Sequence, residues 1–187
     1  NIISLRGLGE NGVSAFGIIG YISSFVVMTM IGFSQGIQPI VSFNLGAKKY
    51  ANVIKTLKIS LLMIIATGVV FYGSINFFSN KIISTFLNDT ETFKMTKYAL
   101  AAYSFAYIIT GLNIVTAGYF TAVKKVKIST IITILRGVVL IIVFLEILPK
   151  VFGTAGIWWS VPAAELVTLA SSIYFIKKYI HKYEALR

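Results

Sequence analysis

One stretch of this sequence, residues 12–47, contains no charged side chain, and it limits what the chain can fold into more than any other feature. It exceeds the roughly 20 apolar residues that an α-helix needs to cross the hydrocarbon core of a bilayer. Across the chain, 57% of the residues are hydrophobic and only 12% are charged. A soluble domain of this size leaves too much of its surface exposed to accommodate that composition. The sequence therefore predicts an integral membrane protein.

Five apolar segments are long enough to span a membrane, and short polar loops separate them. The first is longer than one crossing requires, so we expect it to tilt, kink or extend past the bilayer. No Gly/Ser-rich linker divides the chain. We therefore predict an all-α integral membrane protein, a bundle of five transmembrane helices forming a single domain over residues 1–187. The predicted helices cover about residues 13–44, 59–78, 98–123, 128–148 and 157–176.

Basic residues are distributed unevenly between the two ends of these helices. Eleven lie at one set of ends and five at the other, where acidic residues accompany them. Because cytoplasmic loops carry the excess of Lys and Arg, we predict that the richer ends and the C-terminus are cytoplasmic and that the N-terminus is external. The richer set is Lys48, Lys49, Lys55, Lys58, Lys124, Lys125, Lys127, Lys177, Lys178, Lys182 and Arg187, and the poorer set is Arg6, Lys81, Lys94, Lys97 and Lys150.

The N-terminus adds a further expectation about the length of the protein. The chain starts with Asn1 rather than Met, and residues 1–11 lack the apolar core and cleavage pattern of a signal peptide. An external N-terminus without such a signal requires a spanning helix upstream. We therefore expect this chain to be part of a longer membrane protein.

Two motifs in the chain resemble those of a known family. Residues 35–47 read QGIQPIVSFNLGA, which resembles the Q-x-x-Q-P-x-x-S-x-N-x-G-A pattern of the multidrug and toxic compound extrusion (MATE) transporters. Residues 148–165 resemble the family's L-P-x-x-x-G-x-x-G-x-W-x-x-x-P-x-x-[DE] pattern nearly completely. Arg136 matches the Arg of a third pattern only in part, because Leu135 stands where the family has Ser.

The resemblance implies a twelve-helix transporter built from two six-helix lobes. The five helices here would then be helices eight to twelve, so that the first helix of the C-terminal lobe and the whole N-terminal lobe are missing. It further implies secondary active export of amphipathic, often cationic, compounds through the cell membrane, driven by the influx of H⁺ or Na⁺. No other cofactor is expected, and the partners are membrane lipid, a small-molecule substrate and the missing N-terminal lobe.

Glu165 is the only acidic residue well inside a predicted span. An ionised carboxylate there is costly, roughly 2.5–3.5 kcal/mol on insertion scales, and usually lines a pathway or pairs with a base. A functional interpretation has Glu165 bind a proton, a sodium ion or a cationic drug. A structural interpretation pairs it with Arg136, which lies at a compatible depth from the basic side. Alternatively, the Arg136 side chain extends along the helix so that its guanidinium reaches the nearby membrane surface.

Further polar residues within the apolar segments are candidates for a substrate or ion pathway. At helical spacing, Tyr103, Tyr107, Thr110 and Asn113 form a polar, aromatic stripe that suits an amphipathic cation, but we favour a helix–helix seam of small and hydroxyl residues as its explanation. Polar side chains at the end of the first segment should face a seam or a wet cavity rather than lipid. Those candidates are Gln35, Gln38 and Asn44, and the predicted helix kinks are Pro39 and Pro162.

The sequence also argues against several other classes of protein. It contains no Cys and a single His, His181, so we expect no metal site, and it has no Gly-rich phosphate loop for ATP. The positive charge lies between apolar segments, as a membrane surface requires, and does not indicate nucleic-acid binding. Two alternatives stay open: a lipid-linked oligosaccharide flippase of the same superfamily, and a structural membrane subunit. Gly32 and Gly36, four residues apart, predict the close approach of a neighbouring helix.

Overall fold

The computed structural model describes residues 8–87 and 89–184, with side chains described up to Ile180, so His181 lies outside the described side chains. Within those ranges the fold is all-α and contains no strand. One crossing is divided by a π-helical turn, Leu135–Val139. The helices are α1 (Gly9–Gly46), α2 (Tyr50–Ser84), α3 (Thr90–Ala122), α4 (Val126–Ile134), α5 (Leu140–Phe152) and α6 (Thr154–Glu184).

Five helical units in the described part of the chain are long and apolar enough to cross a membrane, with α4, the π-helical turn and α5 together forming the fourth. The predicted all-α membrane fold is therefore confirmed. The helices are longer than the predicted segments: α2 begins at Tyr50, not near residue 59. The apolar pattern marks only the part that matches the hydrocarbon core, whereas a helix continues through polar flanks such as the one that carries Lys55 and Lys58.

The third helix is the centre of the bundle. α3 packs against α1, α2, α4 and α6, and most of its side chains are buried. Close approach is possible because small residues lie at the crossings. A Cβ added to Gly68 of α2 would lie 2.8 Å from the Ile108 Cα of α3, and Ser34 of α1 occupies the place that a Cβ on Gly118 would take.

The close approach predicted at Gly32 and Gly36 does not occur among the described residues. No heavy atom lies within 4 Å of a Cβ built on either glycine, and both lie on an exposed face of α1. The four-residue spacing correctly predicts that the two glycines share one face of α1, but spacing alone does not predict which helix packs against that face. Among the described residues, the glycines that lie against a neighbouring helix are on α2, α3 and α6.

The turns at the two ends of the bundle are built differently. At the basic end, Lys48 and Lys124 adopt left-handed backbone conformations, with φ of 56° and 60°. The following N–H closes each helix: Lys49 N donates to Asn44 O at 2.9 Å, and Lys125 N donates to Phe120 O at 2.8 Å. At the opposite end, Asp89 caps α3 by accepting a hydrogen bond from Thr92 N at 2.8 Å.

Candidate functional site

A carboxylate lies buried between α3, α6 and the π-helical turn. Glu165 of α6 is only 3% exposed. Its Oε1 accepts hydrogen bonds from Arg136 Nη2 at 2.8 Å and Nε at 3.1 Å. Its Oε2 accepts one from Asn113 Nδ2 at 2.7 Å. Each carboxylate oxygen therefore has a short donor, which is what a buried charge requires to offset its lost hydration.

Asn113 connects this ion pair to a second turn of α6. Its Nδ2 also donates to the Glu165 backbone oxygen at 3.0 Å, and its Oδ1 accepts from Ser172 Oγ at 2.8 Å. Ser172 follows Glu165 by seven residues, two helical turns, and so lies on the same face of α6. We call Arg136, Glu165, Asn113 and Ser172 the buried polar network.

Arg136 enters the network from an irregular piece of helix. It lies in the π-helical turn Leu135–Val139, where Leu140 N donates to Leu135 O in an i to i+5 bond. Such turns widen the helix and are frequent at functional sites. The Arg136 side chain is 17% exposed while its partner is 4% exposed. Arg136 is thus the more exposed member of the ion pair.

The chemistry available to the network follows from this pairing. A carboxylate that already contacts a guanidinium is neutralised, so a sodium ion or cationic ligand would have to displace Arg136 to bind it. The network contains one acid and no His or Cys. Within the described residues there is no group of three or more His, Cys, Asp or Glu side chains that can hold a metal ion. The arrangement is therefore suited first to holding three helical elements in register.

The two tyrosines of the predicted stripe lie apart from this network. The Tyr107 hydroxyl is 2.7 Å from Ser23 Oγ of α1, and Tyr103 packs edge-on against Trp158 with ring centroids 6.5 Å apart. Tyr103, but not Tyr107, lines a cavity of about 620 Å³ between α1, α3, α5 and α6. The lining of this cavity is largely apolar, with hydroxyl groups from Ser23 and Ser24.

The polar candidates of α1 are distributed along the helix. Gln35 is exposed, Gln38 is half-buried, and Asn44 donates to Ile40 O at 2.8 Å and accepts from Asn52 Nδ2 at 3.1 Å. Among the described residues none of the three hydrogen-bonds to the buried polar network. Pro39 and Pro162 both lie inside continuous helices.

Sequence reasoning missed Ser172 and Ser23. Ser172 carried a usable signal, since it is polar, lies in an apolar helix and is spaced two turns from Glu165. Ser23 carried none, because its partner Tyr107 is 84 positions away and only the packing of α1 on α3 brings them together.

This fold and its buried charge pair define a multi-pass α-helical membrane protein. The family model described as MatE matches residues 2–147, most of the chain. The chain belongs to the MatE family.

Known relatives and solved structures extend this result. The chain is 25% identical over 174 residues to the multidrug export protein MepA of Staphylococcus saprophyticus, an alignment that covers 92% of this chain and 38% of the relative. It is 27% identical to the MATE multidrug transporter DinF-BH, solved in complex with R6G, with a TM-score of 0.79 over 89% of this chain and 37% of that one. An outward-facing multidrug resistance MATE family transporter of the MOP superfamily has the same fold, with a TM-score of 0.89 at 16% identity, over 98% of this chain and 42% of that one. The chain thus spans about two fifths of the length of these proteins.

Proposed function

We propose that this chain is the C-terminal lobe, without its first helix, of a secondary active exporter of amphipathic, cationic compounds. Two comparisons support the proposal: relatives are named multidrug export proteins, and the chain aligns with about two fifths of their length. The observation that carries it is the buried polar network, because a lobe that moves as one body needs its helices locked together inside the membrane.

Within this proposal the residues have different roles. Arg136 and Glu165 form the structural ion pair of the lobe. Tyr103, which lines the large cavity, and Gln35, exposed on α1, are the best-placed candidates for substrate contact. Tyr107, Asn113, Gln38 and Asn44 have partners within the chain or lie partly buried, and they support the pathway rather than form its surface. Pro39 and Pro162 are proposed as hinge positions.

The coupling ion in this proposal is H⁺ or Na⁺. Beyond Glu91 in its first turn, α3 carries no acidic residue that could bind sodium, which makes a sodium site in this lobe the weaker choice. Glu165 is the one buried acid among the described residues, and it can take part in coupling only if Arg136 releases it.

The topology proposal rests on charge. With the basic turns around Lys49 and Lys125 on the cytoplasmic side, the α2–α3 turn at Asp89 is external. Because the chain has no Cys, single cysteines at Lys49 and Glu91 report the two sides directly. An impermeant thiol reagent should label Glu91→Cys on intact cells, and labelling of Lys49→Cys from outside would reverse the assignment.

A flippase for lipid-linked oligosaccharides is less well supported. Such a protein needs several free cations in its cavity to hold a diphosphate. In the middle of the described spans the only cation is Arg136, and its guanidinium is bound to Glu165.

The test of the proposed function uses the complete transporter that contains this chain, reconstituted into liposomes without ATP. An imposed proton or sodium gradient should drive a fluorescent cationic dye against its own gradient, and an ionophore that collapses the ion gradient should stop it. Dye movement that persists with no ion gradient, or that appears only when ATP is added, would contradict secondary active transport.

A further inference from the structure

The turn between α3 and α4 forms a pocket with the last described turns of α6. Three of the four residues 124–127 are lysines: Lys124 and Lys125 in the turn, and Lys127 in the first turn of α4. Together with Tyr179 of α6 they enclose a cavity of about 390 Å³. We call it the α3–α4 basic pocket, and it is lined by Lys124, Lys125, Val126, Lys127, Ile128 and Tyr179.

No described acidic side chain neutralises the charge of this pocket. Among the described side chains, none of the three lysines has a carboxylate within ion-pair distance. Three positive charges therefore surround one small volume. Like charges held this close repel each other unless an anion lies between them, so the pocket favours an anionic ligand.

One wall of the pocket is held in place by aromatic packing. The Tyr179 ring packs edge-on against the buried Phe120, with centroids 5.6 Å apart. Lys125 Nζ lies 5.6 Å from the centroid of the same ring, within the range of a cation–π contact. Lys125 is half-buried, whereas Lys124 and Lys127 are exposed. The pocket thus has one positioned ammonium group and two that are free to close on a ligand.

An apolar surface adjoins the pocket on its membrane side. Val126 is 59% exposed, and Ile131 and Ile134 farther along α4 are 46% and 48% exposed. These side chains continue from the pocket along an apolar, membrane-length helix. A ligand that fits both parts has an anionic head and a hydrocarbon tail, which a soluble phosphate ion does not have.

We propose that the α3–α4 basic pocket binds the phosphate headgroup of an anionic phospholipid, whose acyl chains lie along the outer face of α4. The lysines supply charge and hydrogen bonds to the phosphate, and Tyr179 closes the pocket from the side of α6. This inference requires that the chain lie in a membrane, but it does not depend on what the protein transports.

The chain supplies a matched control for the test. The α1–α2 turn carries Lys48 and Lys49, both exposed, and Lys48 has the same left-handed backbone as Lys124. The variants Lys124→Gln/Lys127→Gln and Lys48→Gln/Lys49→Gln therefore remove equal charge from the same end of the bundle. Neither pair packs into the core, so both variants should fold.

The experiment measures lipid binding to the complete, detergent-purified transporter that contains this chain. Phosphatidylglycerol, phosphatidylcholine and inorganic phosphate are titrated separately at physiological salt, with thermal stability and native mass spectrometry as readouts. Phosphatidylglycerol should raise the melting temperature of the unsubstituted protein, and phosphatidylcholine and inorganic phosphate should not. Each lysine near a lipid surface contributes about fivefold in binding, so Lys124→Gln/Lys127→Gln should weaken phosphatidylglycerol binding roughly twentyfold or more.

The control variant distinguishes binding at the α3–α4 basic pocket from general attraction of the lipid to a positively charged surface. Lys48→Gln/Lys49→Gln should retain most of the phosphatidylglycerol shift, because neither lysine lines the pocket. Lys125→Gln alone should give an intermediate loss. Equal losses in the two double variants would overturn the proposed pocket, and an equal shift with inorganic phosphate would show that the ligand is a free anion rather than a lipid.

Discussion

Asn113 of α3 makes buried hydrogen bonds to two residues of α6. It uses its amide nitrogen for Glu165 and its amide oxygen for Ser172. A neutral amide can do both at once because it carries a donor and an acceptor on adjacent atoms. An ionised carboxylate at this position could accept from Ser172 but could not donate to Glu165.

We expect Asn113→Ala to destabilise the protein by about 1–3 kcal/mol, because it leaves Glu165 Oε2 and the Ser172 hydroxyl buried without this partner. Ser172→Ala should cost less, about 1 kcal/mol, since it removes a single hydrogen bond and leaves only one acceptor, Asn113 Oδ1, without this partner. Thermal unfolding in detergent, followed by size-exclusion fluorescence, provides the comparison. If Ser172→Ala proved as harmful as Asn113→Ala, the central position of the amide would be wrong.

Asp89 gives the turn between α2 and α3 a dependence on pH. Hydrogen bonds from Thr92, first from its hydroxyl and then from its N–H, hold the pKa of the Asp89 carboxyl below its ordinary value. Because the folded-state pKa is the lower one, the cap stabilises the fold above the unfolded-state pKa and loses that effect as the pH falls through the folded-state pKa.

We therefore expect the melting temperature to fall on strong acidification, and part of this fall to disappear in Asp89→Asn, whose amide oxygen caps without titrating. Melting curves of both proteins at neutral and acidic pH measure the difference. Identical pH profiles for the two proteins would mean that this cap does not contribute to acid sensitivity.

At the scale of the helices, α2 packs closely on α3 because Gly68 has no side chain at the crossing. Gly68 is buried, and a Cβ there would lie 2.8 Å from the Ile108 Cα, a backbone atom that cannot rotate away. Gly73, one and a half turns later on the same helix, has no heavy atom of the described residues within 4 Å of such a Cβ. The two glycines thus differ in packing while sharing the same helix.

Gly68→Ala should separate α2 from α3 and cost about 1–3 kcal/mol, as expected for overpacking. Gly73→Ala should be neutral or stabilise the protein by up to about 1 kcal/mol, since alanine favours a helix over glycine. Melting temperatures of the two variants, prepared in parallel, test this contrast. A stable Gly68→Ala variant would show that the two helices do not approach as closely as the structure has them.

At the scale of the whole molecule, the number of spanning helices followed from the sequence because lipid requires long uncharged helices. The compatible depth of Arg136 and Glu165 could also be predicted from the sequence, since a charge inside a membrane span needs an opposite charge or water. In the structure the two side chains are 2.8 Å apart. The π-helical turn could not be predicted from the sequence, because no residue pattern distinguishes an i to i+5 hydrogen bond from the i to i+4 bonds of the surrounding α-helix. Nor could the exposure of Gly32 and Gly36, which depends on what covers α1.

The face of α1 that contains these glycines is exposed and largely apolar. Tyr21, Phe25, Met28 and Phe43 on this helix are each about two thirds exposed or more. Large apolar side chains of this kind need lipid or another helix around them. Under the proposed function, part of this surface meets the other lobe, and its role depends on that lobe.

The most direct test of the account is the pairing of Arg136 with Glu165, measured in the complete transporter. Glu165→Gln should lower protein yield and melting temperature, because it leaves the guanidinium without its counter-charge, a loss of about 3–5 kcal/mol for a buried pair. Adding Arg136→Gln should restore much of that stability, since the double variant contains no unpaired charge. Normal yield, an unchanged melting temperature and abolished dye efflux in Glu165→Gln would contradict the structural role and make Glu165 the coupling site of this lobe.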